Sequence, residues 1–175
     1  MLQDGKPEGF FYLDHRTVDG QYNFITDVYV TPGNVHDSLP YVDRLQRQQQ
    51  RFGFQPEAVA LDSGYLTNPI CHALAQREIF AVVAHRRFRP RKDLFHKWKF
   101  KFLPELNVYQ CPAGHHLTYR TTNRSGYREY KSDPSVCKTC PLLDQCTRSK
   151  SHIKTITRHV WENEKEWVRQ NRLSP

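Results

Sequence analysis

An apolar run at mid-chain, Ala58-Val59-Ala60-Leu61, ends on one carboxylate, Asp62, followed at once by Ser63-Gly64-Tyr65. A short apolar stretch bounded by turn-formers reads as a strand over 57–61, central and buried in its sheet. An acid at the end of such a strand stands on the carboxyl edge, where open α/β sheets collect their ligands. A carboxylate fixed there by rigid backbone suits a divalent metal. Taken alone, Asp62 fits equally well as the cap of the next helix.

The flanking sequence supplies the rest of an α/β pattern. Phe10, Tyr12, His15 and Val18 lead into Asp19-Gly20, and Tyr22, Phe24, Ile25, Val28 and Val30 follow, which predicts a hairpin of two strands over 9–31. Thr31-Pro32-Gly33-Asn34 ends the second strand with turn residues. Asp37 or Ser38 is placed to cap a helix, with Pro40 in its first turn. Leu39, Val42, Leu45 and Phe52 mark its apolar face, and Gly53 closes it. Thr67 or Asn68 caps a second helix with Pro69 at its start and Ile70, Ala73 and Leu74 facing inward. Residues 79–84 form another buried strand. The order β-β-α-β-α-β predicts a mixed sheet flanked by helices.

At His85 the composition changes. Arg86, Arg87, Arg89, Arg91 and Lys92 form a basic run, followed by Lys97, Lys99 and Lys101, with Phe88, Phe95, Trp98, Phe100 and Phe102 interleaved. Cations bind phosphates and exposed rings stack on bases, so the run is a candidate DNA-contact surface. The alternative is a solvated loop with its aromatics tucked into the core. The 175-residue chain carries 26 Lys and Arg against 18 Asp and Glu, a net charge of +8, which suits a polyanionic partner. No stretch approaches the ~18 apolar residues of a membrane span. The first residues also lack a signal peptide's apolar core, so a cytoplasmic location is expected.

In that compartment the five cysteines are expected as thiols or metal ligands rather than disulfides. Cys137-Lys138-Thr139-Cys140 is a C-x2-C pair, Cys146 follows, and Cys111 precedes it in Cys111-Pro112-Ala113-Gly114-His115-His116. Two thiolates at this spacing grip one tetrahedral zinc, which Cys111 and Cys146 complete, or His115 or His116 in place of one of them. A redox pair is disfavoured because the motif lies in a Lys/Thr/Pro loop. Cys71, inside the second helix, reads as a small buried apolar residue. His15, His36 and His72 are scattered, and no Ser-His-Asp or Cys-His set can be assembled from spacing. Asp14 and Asp27 face either a cleft or solvent, and Asp19 serves the turn. A final helix begins near Trp161 and carries Glu162, Glu164 and Glu166 as solvent-facing charges.

Several segments together resemble bacterial insertion-sequence transposases of the DDE class: Gly5-Lys6-Pro7-Glu8-Gly9-Phe10 with Tyr12-Leu13-Asp14-His15, Val30-Thr31-Pro32-Gly33-Asn34-Val35-His36-Asp37, and Leu61-Asp62-Ser63-Gly64-Tyr65. The segment over 119–130, Cys137-x-x-Cys140-Pro141 and Thr157-Arg158-His159-Val160-Trp161 are similar to the cysteine-bearing insertion of that family. The resemblance implies an RNase H-like core in which two Asp and one Glu hold Mg2+ or Mn2+ for DNA strand cleavage and transfer. Asp62 carries over as the second acid. It also implies that the first Asp and the Glu lie outside this sequence, so the chain is expected to be a truncated piece, inactive alone. The expected fold is therefore α/β, an incomplete RNase H-like mixed sheet with flanking helices plus a small zinc-ribbon-like insertion. The expected divisions are 1–90 for the partial core, 91–160 for the insertion, and 161–175 for the start of a helix leading to the remaining catalytic segment. Expected partners are DNA and further copies of the protein in a transpososome, in a bacterial, nucleoid-associated setting. A zinc-stabilised nucleic-acid-binding module without catalysis is the alternative.

Overall fold

The structure is a computed structural model, and it describes residues 9–84 and 93–173. The chain divides into two compact units, one formed by residues 1–86 and 163–175 and the other by residues 87–162.

In the first unit, β1 (Tyr12–Val18) pairs antiparallel with β2 (Ile25–Pro32). The strands close through a loop over 19–24 rather than a two-residue Asp-Gly turn. Asp19 N–H donates to Phe24 O at 2.8 Å, and Asp19 Oδ2 accepts from the Gln21 and Tyr22 N–H groups at 3.2 and 2.6 Å. Those side-chain bonds satisfy the loop backbone. Tyr22 and Phe24, expected in the second strand, lie exposed in the loop.

The first helix, α1 (Tyr41–Phe52), buries Tyr41, Arg44, Leu45 and Gln48, one face at helical spacing. Neither Asp37 nor Ser38 caps it. Pro40 takes the cap position with helical backbone angles, and its carbonyl accepts the Arg44 N–H at 3.0 Å. Ser38 instead pairs with His36, Oγ to Nδ1 at 2.7 Å. Gly53 ends the helix as expected, with φ at 68° and its N–H on Gln49 O at 2.9 Å.

A polar network fastens α1 to the hairpin. Arg44 Nε donates to Asp27 Oδ2 at 2.7 Å, Arg44 Nη2 donates to His15 O and Thr17 Oγ1, both at 3.1 Å, and Arg47 reaches Asp27 Oδ1 at 3.0 Å. Asp27 therefore faces neither a cleft nor solvent but a buried guanidinium.

Further along, β3 (Ala58–Leu61) and β4 (Phe80–Val83) pair in parallel, joined through α2 (Asn68–Ala75). Parallel strands need such a crossover. The strand order is as expected, but the single mixed sheet is not observed. Among the described residues β1–β2 and β3–β4 are separate two-stranded sheets. For the same reason β3 is not buried: it pairs with β4 alone, and its Ala58 and Ala60 are exposed.

The core of this unit joins Leu45, Ile70, Cys71, Leu74, Ile79, Ala81 and Val83 to Val168 of the last helix, α5 (Glu162–Asn171). Each fully buried Leu or Ile stabilises by about 1.5–3 kcal/mol relative to exposure. Asn171 Nδ2 donates to Ala81 O at 3.0 Å, and Glu164 pairs with His72 at 3.1 Å. Glu164 is thus a packing charge, not a solvated one.

The second unit is an antiparallel meander in the order β5 (Lys101–Leu103), β6 (Val108–Gln110), β7 (His116–Thr122), β8 (Tyr127–Lys131) and β9 (Thr155–His159). Two short helices, α3 (Pro134–Lys138) and α4 (Leu143–Cys146), lie between β8 and β9. Phe100, Tyr109, Leu117, Tyr130 and Ile156 form the core, with Phe95 and Phe102 packed against it. Gly126 sits at φ 77° in the β7–β8 turn, where the Asn123 side chain accepts the Ser125 and Tyr127 N–H groups at 3.0 and 2.9 Å. Glu162, also expected to face solvent, is buried and pairs with Lys97 Nζ at 3.2 Å.

Candidate functional site

Asp62 follows the last residue of β3 in extended conformation, so it stands at the carboxyl edge of the parallel pair. Its Oδ1 accepts the Ser63 N–H at 2.6 Å and thereby caps a single 3-10 turn, Ser63–Tyr65. The side chain is exposed and forms no ion pair among the described residues. The capping reading of Asp62 holds for one oxygen, and Oδ2 has no hydrogen-bond partner among the described residues.

Tyr65 lies beside this edge, edge-on to Tyr41 with ring centroids 5.4 Å apart. Burial, then the charge of Asp37, holds its phenol above the ordinary tyrosine range; Arg44 opposes the rise and Asp62 adds to it. Asp37 therefore shares the neighbourhood of Tyr65 with Asp62, a relation that sequence spacing did not reveal, because the two acids belong to different connections. Among the described residues no three His, Cys, Asp or Glu side chains are grouped so as to hold a metal ion as they stand.

The described part of the adjoining segment ends at the same edge. Ala84 N–H donates to Leu61 O at 2.9 Å, one residue before the basic run begins. The run itself, with Arg86, Arg87, Arg89, Arg91 and Lys92, lies outside the described residues, apart from the lysines that follow it. Of the interleaved aromatics, Phe95, Phe100 and Phe102 belong to the core of the second unit, as the alternative reading held. Trp98 is exposed and stacks on His96 with centroids 4.3 Å apart.

Within the second unit, Cys111, Cys137, Cys140 and Cys146 all line one cavity of about 150 Å³, together with His115, His116 and Lys154. Burial pushes the Cys146 thiol up, Lys154 pulls it down, and the other three cysteines add to the rise. Lys154 Nζ donates to Cys146 O at 2.7 Å. Nothing in the spacing of Lys154 marked it as part of this cluster; backbone bonding to Ser132, just before β9, brings it there.

Residues 110–175 match the family model of the transposase DDE domain. Over that segment the match supports the resemblance to DDE-class transposases that its motifs carry. It includes all four clustered cysteines, β9 and α5, and it does not reach Asp62. No curated protein and no solved structure matches the chain. The matched residues hold β7, β8 and β9 of the meander, whereas β5 and nearly all of β6 precede them. Among the described residues no helix is long and apolar enough to cross a membrane.

Proposed function

We propose that the chain is part of a DDE transposase that performs divalent-metal-dependent DNA strand cleavage and strand transfer, and that Asp62 is one of its metal-holding acids. The observation that carries this reading is the exposed carboxylate at the carboxyl edge of β3, with no hydrogen-bond partner on Oδ2 and no cation paired to it among the described residues. Its hard oxygen donors fit Mg2+ or Mn2+. Bound there, such an ion supplies positive charge to a phosphodiester transition state and lowers the pKa of an attacking water or 3′-hydroxyl.

The chain's own residues then have defined tasks. Ser63 N–H fixes the Asp62 carboxyl so that it presents one oxygen outward. The basic residues Arg86, Arg87, Arg89, Arg91 and Lys92 follow directly from that edge in sequence and hold the DNA backbone by phosphate contacts. Because no three acids gather near Asp62 among the described residues, the companion acids come from other parts of a complete protein. Self-association in a transpososome and work at the bacterial nucleoid belong to the same reading.

Mn2+ titration tests it. Paramagnetic broadening is expected first at the Ser63 and Gly64 amides and is abolished by Asp62→Asn. Broadening that is unchanged in that variant refutes the assignment. With supercoiled plasmid and Mg2+ or Mn2+, the chain alone is expected to leave the DNA intact. Metal-dependent nicking lost in Asp62→Ala shows instead that this chain is catalytically sufficient.

A further inference from the structure

We propose that Cys111, Cys137, Cys140 and Cys146 form a structural four-thiolate zinc site that fastens the α3–α4 segment to the meander. The inference stands independently of the DNA chemistry proposed above. Three of the thiols belong to the segment between β8 and β9, and the fourth follows β6, so the set joins parts of the chain that are remote in sequence.

The local backbone is shaped for such a site. Cys111 N–H donates to His115 O at 2.8 Å and Gly114 N–H to Cys111 O at 2.9 Å, with Gly114 at φ 85°. On the other side Cys140 N–H donates to Cys137 O at 3.1 Å, and Leu143 N–H to Cys140 O at 3.1 Å. Cys111, Cys137 and Cys140 are thus carried on tight turns, and Cys146 ends α4. The walls are largely apolar, with Phe95, Leu117, Leu142 and Leu143 around the sulfurs. An apolar shell excludes water and strengthens metal–thiolate bonds.

The segment also needs a tie. The helices α3 and α4 have five and four residues and contain no buried residue. Helices this short do not persist by themselves, and no residue of either is fully buried. Cys111 and Cys146 already pack against the core of the meander.

Cysteine is favoured over the neighbouring imidazoles. All four cysteines are half-buried, whereas His115 and His116 are exposed. Four thiolates on one Zn2+ leave two net negative charges, and the Lys154 ammonium on the same wall offsets one of them. As they stand, the four side chains are not grouped so as to hold an ion. Metal binding is coupled to folding, so the ion is expected to draw the four sulfurs together as it orders the segment.

The test uses the whole chain, reduced and stripped of metal, then loaded with Zn2+ alone or Co2+ alone. Expected are one zinc per chain, a Co2+ spectrum whose thiolate charge-transfer band has the intensity of four sulfurs, and loss of amide protection over residues 134–147 on chelation. Each of Cys111→Ser, Cys137→Ser, Cys140→Ser and Cys146→Ser is expected to weaken Zn2+ binding by more than the ~10–100-fold typical of losing an outer-sphere partner. Cys71→Ala is expected to leave binding unchanged. Where a serine variant fails to fold, the wild-type Co2+ spectrum decides. A band of three-sulfur intensity, zinc absent after reconstitution, or a disulfide formed in its place each overturns the four-thiolate site.

Discussion

Replacing Asp27 by Asn removes the carboxylate bonded to a guanidinium that is itself cut off from water. The Arg44 side chain is 4% exposed and Asp27 9%, so neither charge is shared with solvent. Arg47, half exposed, contributes little to the balance. The bonds of Arg44 to His15 O and Thr17 Oγ1 survive the substitution, but its positive charge loses its counter-ion. Breaking a buried pair from one side costs about 3–5 kcal/mol, and the surviving bonds reduce this to about 2–4 kcal/mol for Asp27→Asn.

The loss depends on pH. Burial by itself raises the carboxyl, but the bonds and charges of Arg44 and Arg47 outweigh it and hold Asp27 below its ordinary value. The stabilisation is therefore complete above the unfolded value of about 3.9 and disappears as pH falls through the folded value. Urea unfolding read by hydrogen exchange over residues 41–52 isolates this unit and gives the difference between variant and parent. A cost under about 0.5 kcal/mol at pH 7, the range of an ordinary surface change, refutes the reasoning. So does an undiminished gap at pH 2.

Gly33→Ala places a Cβ 2.7 Å from the Phe11 carbonyl oxygen, which already accepts the Gly33 N–H at 2.6 Å, so backbone must move. Thermal unfolding of this variant is expected to show a loss of about 1–3 kcal/mol, and an unchanged midpoint refutes the close approach. Burial pushes the Tyr41 phenol up to about 12, with the neighbouring Tyr65 adding to the rise and Arg44 opposing it. That raised value contributes stability below the unfolded pKa of about 10 and loses it as pH rises toward 12. Ultraviolet titration is expected to show Tyr41 and Tyr65 ionising after the exposed tyrosines, with the latest phase absent in Tyr41→Phe.

Much of the first unit was legible in the sequence because its signals are local. Gly53, Pro69 and the alternation through Tyr12 to Val18 act within a few residues and gave the elements of that region. Asp62 was legible for the same reason: a strand end needs only the strand and the turn after it. What eluded reading depends on distant partners. The Glu162–Lys97 and Asp27–Arg44 pairs join residues 65 and 17 positions apart, so charges that scan as solvated are in fact packed. The meander was hidden because two of its strands are only three residues long and β7 exposes all but Leu117. An alternation that short, on a strand largely open to water, leaves little period to detect. The cysteine spacing pointed to metal, but only the antiparallel fold brings Cys111 and Lys154 to the same cavity wall.

The return of α5 to the first unit has a consequence for the nascent chain. Val168 completes the core that Ile70, Leu74 and Ile79 begin, yet the ribosome must make residues 87–162 in between. At roughly 5–20 residues per second, those 76 residues take about 4–15 s. Over that interval the apolar wall destined for Val168 emerges without its cover, while the meander can mature first. Emergence of α5, rather than of β4, is then the moment at which the earlier half of the polypeptide becomes secure against aggregation.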